Sequence, residues 1–589
     1  MLDYSEYIAD WPDMPYPNFV AWLDDIAAQW SDETALLFRS GKQREFSRWS
    51  FSKYAEECRR IGRGLLAAGL RRGDRVILWA ENCPEWMAAW MGTAIAGLVI
   101  VPVDYLVSND ECANIIKITK AQALFYSPRK QEFAGSAASK FDFVKALVCL
   151  HKRDLDPAQE NAGTVFFESF GAGAGEQQLP AAADIAGHDP VSIVFTSGTT
   201  GFAKGVTLHH KGILANANAA IRSLVPVHGD MFLSVLPLHH TYPTCTQFIS
   251  PLSGGIAVII VDKLVGKVVI DAVRDGGVTH LIAVPLLFNK VKAAIEQSYN
   301  KLPGVVRLPL NLLRSIALSR AKKGRPEFGQ AVFKFLRKKA GLGSVKLTVA
   351  GGGPLNPKTA DFFDSLGFNI VNGYGMSENS PLISVNTPRH KNNASVGLPV
   401  KYTDVKILNP DSEGIGEIAV KSPSLMLGYF ENEEATREVF TEDGYLLTGD
   451  LGHRDEQGFI FINGRKKNLI VSSGGKNIYP EEIETCFEGS RVVGDILVVG
   501  RKEAVGEQIF AVVVPNYEAL AEDYPGREPD EGFIRKLVKN EIETVNRTLP
   551  GYKKIQNFIL RKEEFEKNAQ KKIRRFMYKQ YENAVPEAD

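Results

Sequence analysis

The chain has 589 residues, with 69 Lys or Arg balancing 69 Asp or Glu. A length several times that of a typical domain calls for more than one hydrophobic core, and the apolar fraction is ordinary for a globular protein. Its six cysteines (Cys58, Cys83, Cys112, Cys149, Cys245, Cys486) are scattered without a Cys-x-x-Cys pair. This excludes a disulfide framework and a zinc site, and reads as a reduced, cytoplasmic protein.

The first twenty residues are acidic and broken by Pro12, Pro15 and Pro17, so no secretory leader is expected. Helical patterns then alternate with short β-branched strands: Phe51 to Leu70, Arg75 to Trp79, Pro84 to Gly97, Leu98 to Val103. That alternation predicts a parallel, helix-covered sheet. Trp86 to Val103 approaches the roughly 20 apolar residues of a membrane span. Gly92, Thr93 and Gly97 interrupt it and it ends in a β-branched run, so a buried helix followed by a core strand is expected.

Residues Ser192 to Val206 pass from an apolar strand into a loop of hydroxyls and glycines and then a lysine. Gly198 and Gly201 let the backbone turn its N–H groups toward an anion. Thr196, Ser197, Thr199 and Thr200 add hydroxyl donors, and Lys204 adds a point charge, as a polyphosphate requires. It is not a Walker A loop, because two residues separate Gly201 from Lys204 and Gly205 follows.

Between Lys301 and Lys346 stand twelve Lys or Arg and a single acid, Glu327, with apolar residues interleaved. The pattern predicts amphipathic helices with a basic face. Solvated helices capping the domain and peripheral contact with the inner face of an anionic membrane both fit. Nucleic acid does not, since no recognised fold or aromatic base platform accompanies the charge. Val405 to Phe461, with turns at Glu413-Gly414 and Gln457-Gly458, reads as a smaller β-barrel-like region. Pro480 followed by Glu481 and Glu482 marks a helix start.

Thr-Ser-Gly-Thr-Thr-Gly-x-x-Lys-Gly resembles the phosphate loop of the AMP-forming adenylating superfamily, which includes acyl-CoA synthetases, peptide-synthetase adenylation domains and firefly luciferase. Further segments look like that family's core motifs and occur in its order. They are Gly351-Gly352-Gly353-Pro354, Gly373-Tyr374-Gly375-Met376-Ser377-Glu378, Tyr445 to Asp450, Gly464-Arg465-Lys466-Lys467, Gly474 to Ile483 and Lys572-Ile573-Arg574-Arg575. Phe202-Ala203, Ser377, Asn468 and Gln570-Lys571 depart from its commoner residues. The basic insertion ahead of Gly351 is most similar to the long-chain fatty acyl-CoA synthetases.

The resemblance implies an α/β protein: a large N-terminal unit, 1–466, of helix-covered sheets plus the β-barrel-like subdomain, and a small mobile α+β unit, 467–589, hinged at Lys467. It implies nucleotide contacts from the phosphate loop and from Gly352, Gly353, Pro354, Asn372, Gly373, Tyr374, Gly375 and Ser377, with the Tyr374 ring on adenine. Asp450 would take the ribose hydroxyls with Arg465 nearby. Glu378, with Thr196, would hold the Mg²⁺ of MgATP, since this ion takes few protein oxygens. His240 and Tyr242 would shape the acyl pocket, and Gly474 and Gly475 the CoA tunnel. Lys571 and Lys572 compete for the lysine that meets the carboxylate and the α-phosphate. Position in Lys-Ile-x-Arg favours Lys572, and a compact ammonium suits two developing negative charges. The implied reaction joins a medium- or long-chain fatty acid to AMP, then passes the acyl group to CoA. The substrates are ATP, Mg²⁺ and CoA, with no prosthetic group. An acyl carrier protein as acceptor, or a nucleotide-binding sensor without chemistry, would share most of these motifs.

Overall fold

The computed structural model describes residues 16–39, 45–152, 165–175, 177–196, 204–263, 265–472, 476–502, 507–525, 530–567 and 573–583. Ser197, Gly198, Thr199, Thr200, Gly201, Gly474, Gly475, Lys571 and Lys572 lie outside them. Two large sheets carry the N-terminal part. One has nine strands, with Leu347–Ala350, His280–Ala283, Met231–Ser234, Ala257–Ile260 and Thr34–Phe38 as its parallel centre. Beyond Ile370–Gly375 it turns antiparallel through Leu382–Val385 and Leu398–Pro399. The other has eight strands, in which Arg75–Trp79 and Val99–Pro102 pair in parallel as expected, and an antiparallel edge carries Pro190–Thr196 and Lys204–His209. Ala257–Ile260, His280–Ala283 and Leu347–Ala350 are buried along their whole length, which is why they read as continuous apolar runs.

Helices Phe51–Ala67 and Pro84–Ile95 share one core with side chains of both sheets. The first is capped by the Ser50 hydroxyl, which accepts from Lys53 N. The second is buried at every residue but Glu85, and Trp90 meets Phe19 and Phe248 edge-on at 5.1 and 5.8 Å. The glycine that breaks its apolar run has a packing cause. A Cβ on Gly92 would lie 2.7 Å from the Cys58 carbonyl of the neighbouring helix. Among the described residues no helix is long and apolar enough to cross a membrane.

The β-rich block is a four-stranded antiparallel sheet of Asp404–Leu408, Gly416–Lys421, Leu446–Arg454 and Ile460–Arg465. It packs Val405, Ile418, Val420 and Ile460 against Tyr374 and Ile383, so its core is shared with the antiparallel end of the nine-stranded sheet. A separate three-stranded sheet, Val493–Lys502, Glu507–Pro515 and Asn557–Leu560, builds the C-terminal part with helices Pro480–Thr485 and Glu531–Asn546. Apart from a small group joining Ile415, Leu451 and Tyr479, every buried cluster either ends by Ile460 or begins at Ile470 or later.

Residues 301–346 form the expected helices, Gly304–Ala321, Glu327–Val332 and Lys334–Lys339. The outward side of the longest helix is mixed: Arg314 lies against Phe362, while Arg320, over Phe328, is exposed together with Val305, Leu308 and Leu312.

Burial holds four histidines neutral: His210 is pushed down to about 3, His240 and His280 to about 4, and His239 well below the usual range. An unfolded imidazole titrates near 6.5, so between pH ~6.5 and ~4 the unfolded chain binds protons the folded chain refuses, and stability falls with acidification. Each such group contributes up to about 1.4 kcal/mol per pH unit. Melting temperature is expected to drop steeply from pH 7 to 5, with uptake of about four protons on unfolding near pH 5. A flat profile would contradict the buried, neutral assignment.

Candidate active site

Thr196 lies opposite Lys204 in the antiparallel pair Pro190–Thr196 and Lys204–His209, and its hydroxyl donates to the Lys204 carbonyl at 3.4 Å. The two ends of the phosphate loop are thereby pinned side by side. The short strand Gly428–Tyr429 pairs with the other edge of Lys204–His209, Tyr429 opposite Val206. This sets the Tyr429 ring beneath Lys204, whose Nζ is 4.8 Å from the ring centroid. The same phenol donates to Glu378 Oε1 at 2.9 Å. One side chain therefore spans the candidate phosphate lysine and the candidate metal carboxylate. Burial, reinforced by the Glu378 charge, pushes the Tyr429 phenol upward, so it remains a donor.

Glu378 sits on a single helical turn, Ser377–Asn379, that follows the strand Ile370–Gly375. Buried Asn216 clamps this turn: its Nδ2 donates to the carbonyls of Asn379 and Leu382 at 3.0 and 2.9 Å, and its Oδ1 accepts from Leu382 N at 2.9 Å. Glu378 Oε2 has no hydrogen-bond partner among the described residues.

On the same strand Asn372 is buried and its Oδ1 is unpartnered among the described residues, an acceptor left over for a donor such as an amino group. Two residues on, Tyr374 donates to Asp450 Oδ2 at 2.6 Å, and Arg465 Nε contacts Asp450 Oδ1 at 2.7 Å. Asp450 and Arg465 face each other across paired strands. The residues expected at adenine and ribose thus form one connected unit.

Gly351 and Gly352 end the strand Leu347–Ala350 against Tyr242: a Cβ on Gly351 would lie 2.6 Å from Tyr242 Cζ. Gly353 and Pro354 continue this segment, and Gly373 and Gly375 flank Tyr374. Thr241 Oγ1 lies 3.2 Å from Ser377 Oγ, which joins the His239–Tyr242 segment to the Glu378 turn.

These elements coincide with a known group of proteins: residues 23–430 match the AMP-binding enzyme family. The chain belongs to the AMP-binding enzyme family. As an AMP-binding enzyme it is similar, at 28% identity over 577 residues, to the peroxisomal long chain acyl-CoA synthetase 7 of Arabidopsis thaliana, with 92% of this chain and 81% of that protein covered. It is also 28% identical over 514 residues to the long-chain-fatty-acid–CoA ligase heimdall of Drosophila melanogaster, covering 83% and 75%. Its fold matches that of the anthranilate CoA ligase AuaEII bound to anthranoyl-AMP, with a TM-score of 0.75 at 20% identity, covering 98% of this chain and 99% of that one. ATP-bound MatB of Rhodopseudomonas palustris matches with a TM-score of 0.73 at 22% identity, covering 96% and 99%.

In this AMP-binding enzyme His239 and His240 pack with ring centroids 4.0 Å apart. Burial lowers both, His239 well below the usual range with the His240 charge adding to it. Neutral imidazoles suit shaping a pocket better than shuttling protons at neutral pH. His240 Nε2 and the Tyr242 hydroxyl are buried without partners among the described residues, polar atoms left for a ligand to satisfy. Lys467 lies in a one-turn helix, Lys466–Asn468, and Asn468 donates to Glu481 in the first turn of the helix Pro480–Thr485. Tyr429 and Asn216 escape a reading of the sequence. Gly428-Tyr429 becomes a site element only because its strand pairs beside Lys204, and Asn216 sits mid-helix 162 residues before Glu378.

Proposed function

We propose that this enzyme activates a medium- or long-chain fatty acid with ATP and transfers the acyl group to CoA, releasing AMP and pyrophosphate. The observation that carries the reading is the bridge Lys204–Tyr429–Glu378, which sets a cation and a carboxylate on either side of one phenol at the mouth of the phosphate loop. Its named relatives among long-chain synthetases supply the substrate class. In the first step a carboxylate oxygen attacks the α-phosphate and pyrophosphate leaves. Lys204 and the loop hydroxyls Thr196, Ser197, Thr199 and Thr200 hold the phosphates, and Asn372, Tyr374, Asp450 and Arg465 hold the nucleoside. Lys572 draws the two anionic partners together. In the second step the CoA sulfur attacks the acyl carbonyl, AMP leaves, and the thiol proton passes to solvent.

Glu378 and Thr196 offer one carboxylate and one hydroxyl, a donor set that fits a Mg²⁺ arriving on ATP, and Glu378 Oε2 has no partner among the described residues. Bound there, the ion would offset charge on the leaving pyrophosphate. We assign 1–466 and 467–589 as the two units, with Lys467 as the hinge, supported by the division of the cores near that turn. Rotation about it would exchange Lys572 for the loop of Gly474 and Gly475 at one active site.

The direct test is product stoichiometry with a series of acids, using CoA or a phosphopantetheinylated carrier protein as acceptor. One AMP, one pyrophosphate and one acyl-CoA per turnover support the reading. Turnover with the carrier protein alone would reassign the acceptor.

Tyr429→Phe keeps the ring under Lys204 and removes the hydroxyl from Glu378. It is expected to raise the Mg²⁺ needed for half-maximal rate by about tenfold, the size of one charge-assisted hydrogen bond, with a smaller change in saturated kcat. Tyr429→Leu should in addition raise KM for ATP. An unchanged Mg²⁺ dependence in Tyr429→Phe would remove Tyr429 from this role.

A further inference from the structure

The helix Gly304–Ala321 carries a row of aliphatic side chains on its outward side, although Leu310 and Leu313 already pack against the core beneath it. Val305, Leu308 and Leu312 are 80%, 73% and 64% exposed, and Ile316 continues the same stripe at 37%. Their spacing of three, four and four residues keeps them on one face. The opposite side is anchored by buried Ala317 and Ala321 and by Arg314, whose Nε donates to Ser365 Oγ at 3.1 Å while its guanidinium lies 4.8 Å over Phe362. Arg314 is thus spent on holding the helix down, and the aliphatic row is left outward beside the exposed Arg320. Scattered exposed leucines need no explanation, but a row of them along one helix face does.

Charge says what the row is for. Lys301 lies just before the stripe, and Lys323 and Arg325 lie just beyond it. All three are exposed and form no ion pair with a described residue. Lys334, Lys338 and Lys339 in the next two turns of chain are likewise exposed, beside Phe335, which is itself 76% exposed. Glu327 is the one acid from 301 to 346. Apolar side chains flanked by long cations at both ends of a helix match the boundary of an anionic bilayer, where the aliphatics enter the acyl region and the ammonium groups reach the headgroups. A second copy of this chain would bring the same cations face to face.

We propose that helix Gly304–Ala321 lies in the plane of an anionic membrane surface, with Val305, Leu308, Leu312 and Ile316 inserted. The proposal deepens the reading of a membrane-partitioning fatty substrate, and its test needs neither acid nor ATP, so the two can fail separately. The full-length protein is sedimented with vesicles of phosphatidylcholine alone or with about 30 mol% phosphatidylserine, at low and high salt. Binding is expected to the anionic vesicles, weakened by salt. It should fall at least tenfold in Leu308→Ser/Leu312→Ser and also in Lys301→Glu/Lys323→Glu, with unchanged melting temperature. Equal binding by the double-serine variant would overturn the proposal. So would a concentration-dependent dimer, seen by light scattering without lipid, that these substitutions abolish.

Discussion

Replacing Lys572 by alanine is expected to slow acyl-adenylate formation by ~10²–10³-fold, the loss that follows removal of one preorganised donor from developing charge. Thioester formation from supplied acyl-AMP and CoA should stay within a few-fold of the unaltered enzyme, because after rotation about Lys467 this lysine has left the site. The two half-reactions are measured separately, the first as pyrophosphate release with CoA omitted and the second by mixing purified acyl-AMP with CoA. Lys571→Ala serves as the neighbouring control and should leave both rates nearly unchanged. Equal loss in both half-reactions would argue that Lys572 supports the fold of the C-terminal unit. The opposite pattern between the two lysines would move the assignment to Lys571.

Glu378→Gln is the second substitution with a large effect. Gln keeps an oxygen that can accept from Tyr429, so the turn clamped by Asn216 should hold its shape. What is lost is the negative charge facing the phosphate side, and adenylation is expected to fall by ~10²-fold or more, with little rescue by raised Mg²⁺. Melting temperature should change little, since Glu378 is only half-buried, makes one side-chain hydrogen bond, and Gln can keep that bond. A variant that regains full rate at high Mg²⁺ would show that the carboxylate only strengthens ion binding. A variant with unchanged rate would exclude Glu378 from the site.

The alternation from Phe51 to Val103 is legible in the sequence because buried parallel strands and the helices covering them have different apolar periods. Arg75–Trp79 falls where it was expected. The strand entering the phosphate loop was legible for the same reason, and Pro480 with its acidic first turn marks its helix directly. What could not be read was set by pairing across long stretches of chain. Tyr429 reaches Glu378 and Lys204 through an edge strand of two residues, too short to show any period. Asn216 clamps Leu382 from a helix whose sequence only requires it to be polar within an apolar face. The outward turn of Leu308 and Leu312 follows from Arg314 finding Ser365 and Phe362, a tertiary contact that overrides the expectation that cations face water.

The central claim is that this site joins a fatty carboxylate to AMP, and carboxylate-dependent exchange of labelled pyrophosphate into ATP reads that step alone. With acids from acetate to stearate, and benzoate for comparison, exchange is predicted to rise with chain length and peak among medium or long chains. A buried tail gains ~0.8 kcal/mol per CH₂ until the pocket floor is reached. Exchange with none of these acids, in protein that still binds ATP, would contradict the account.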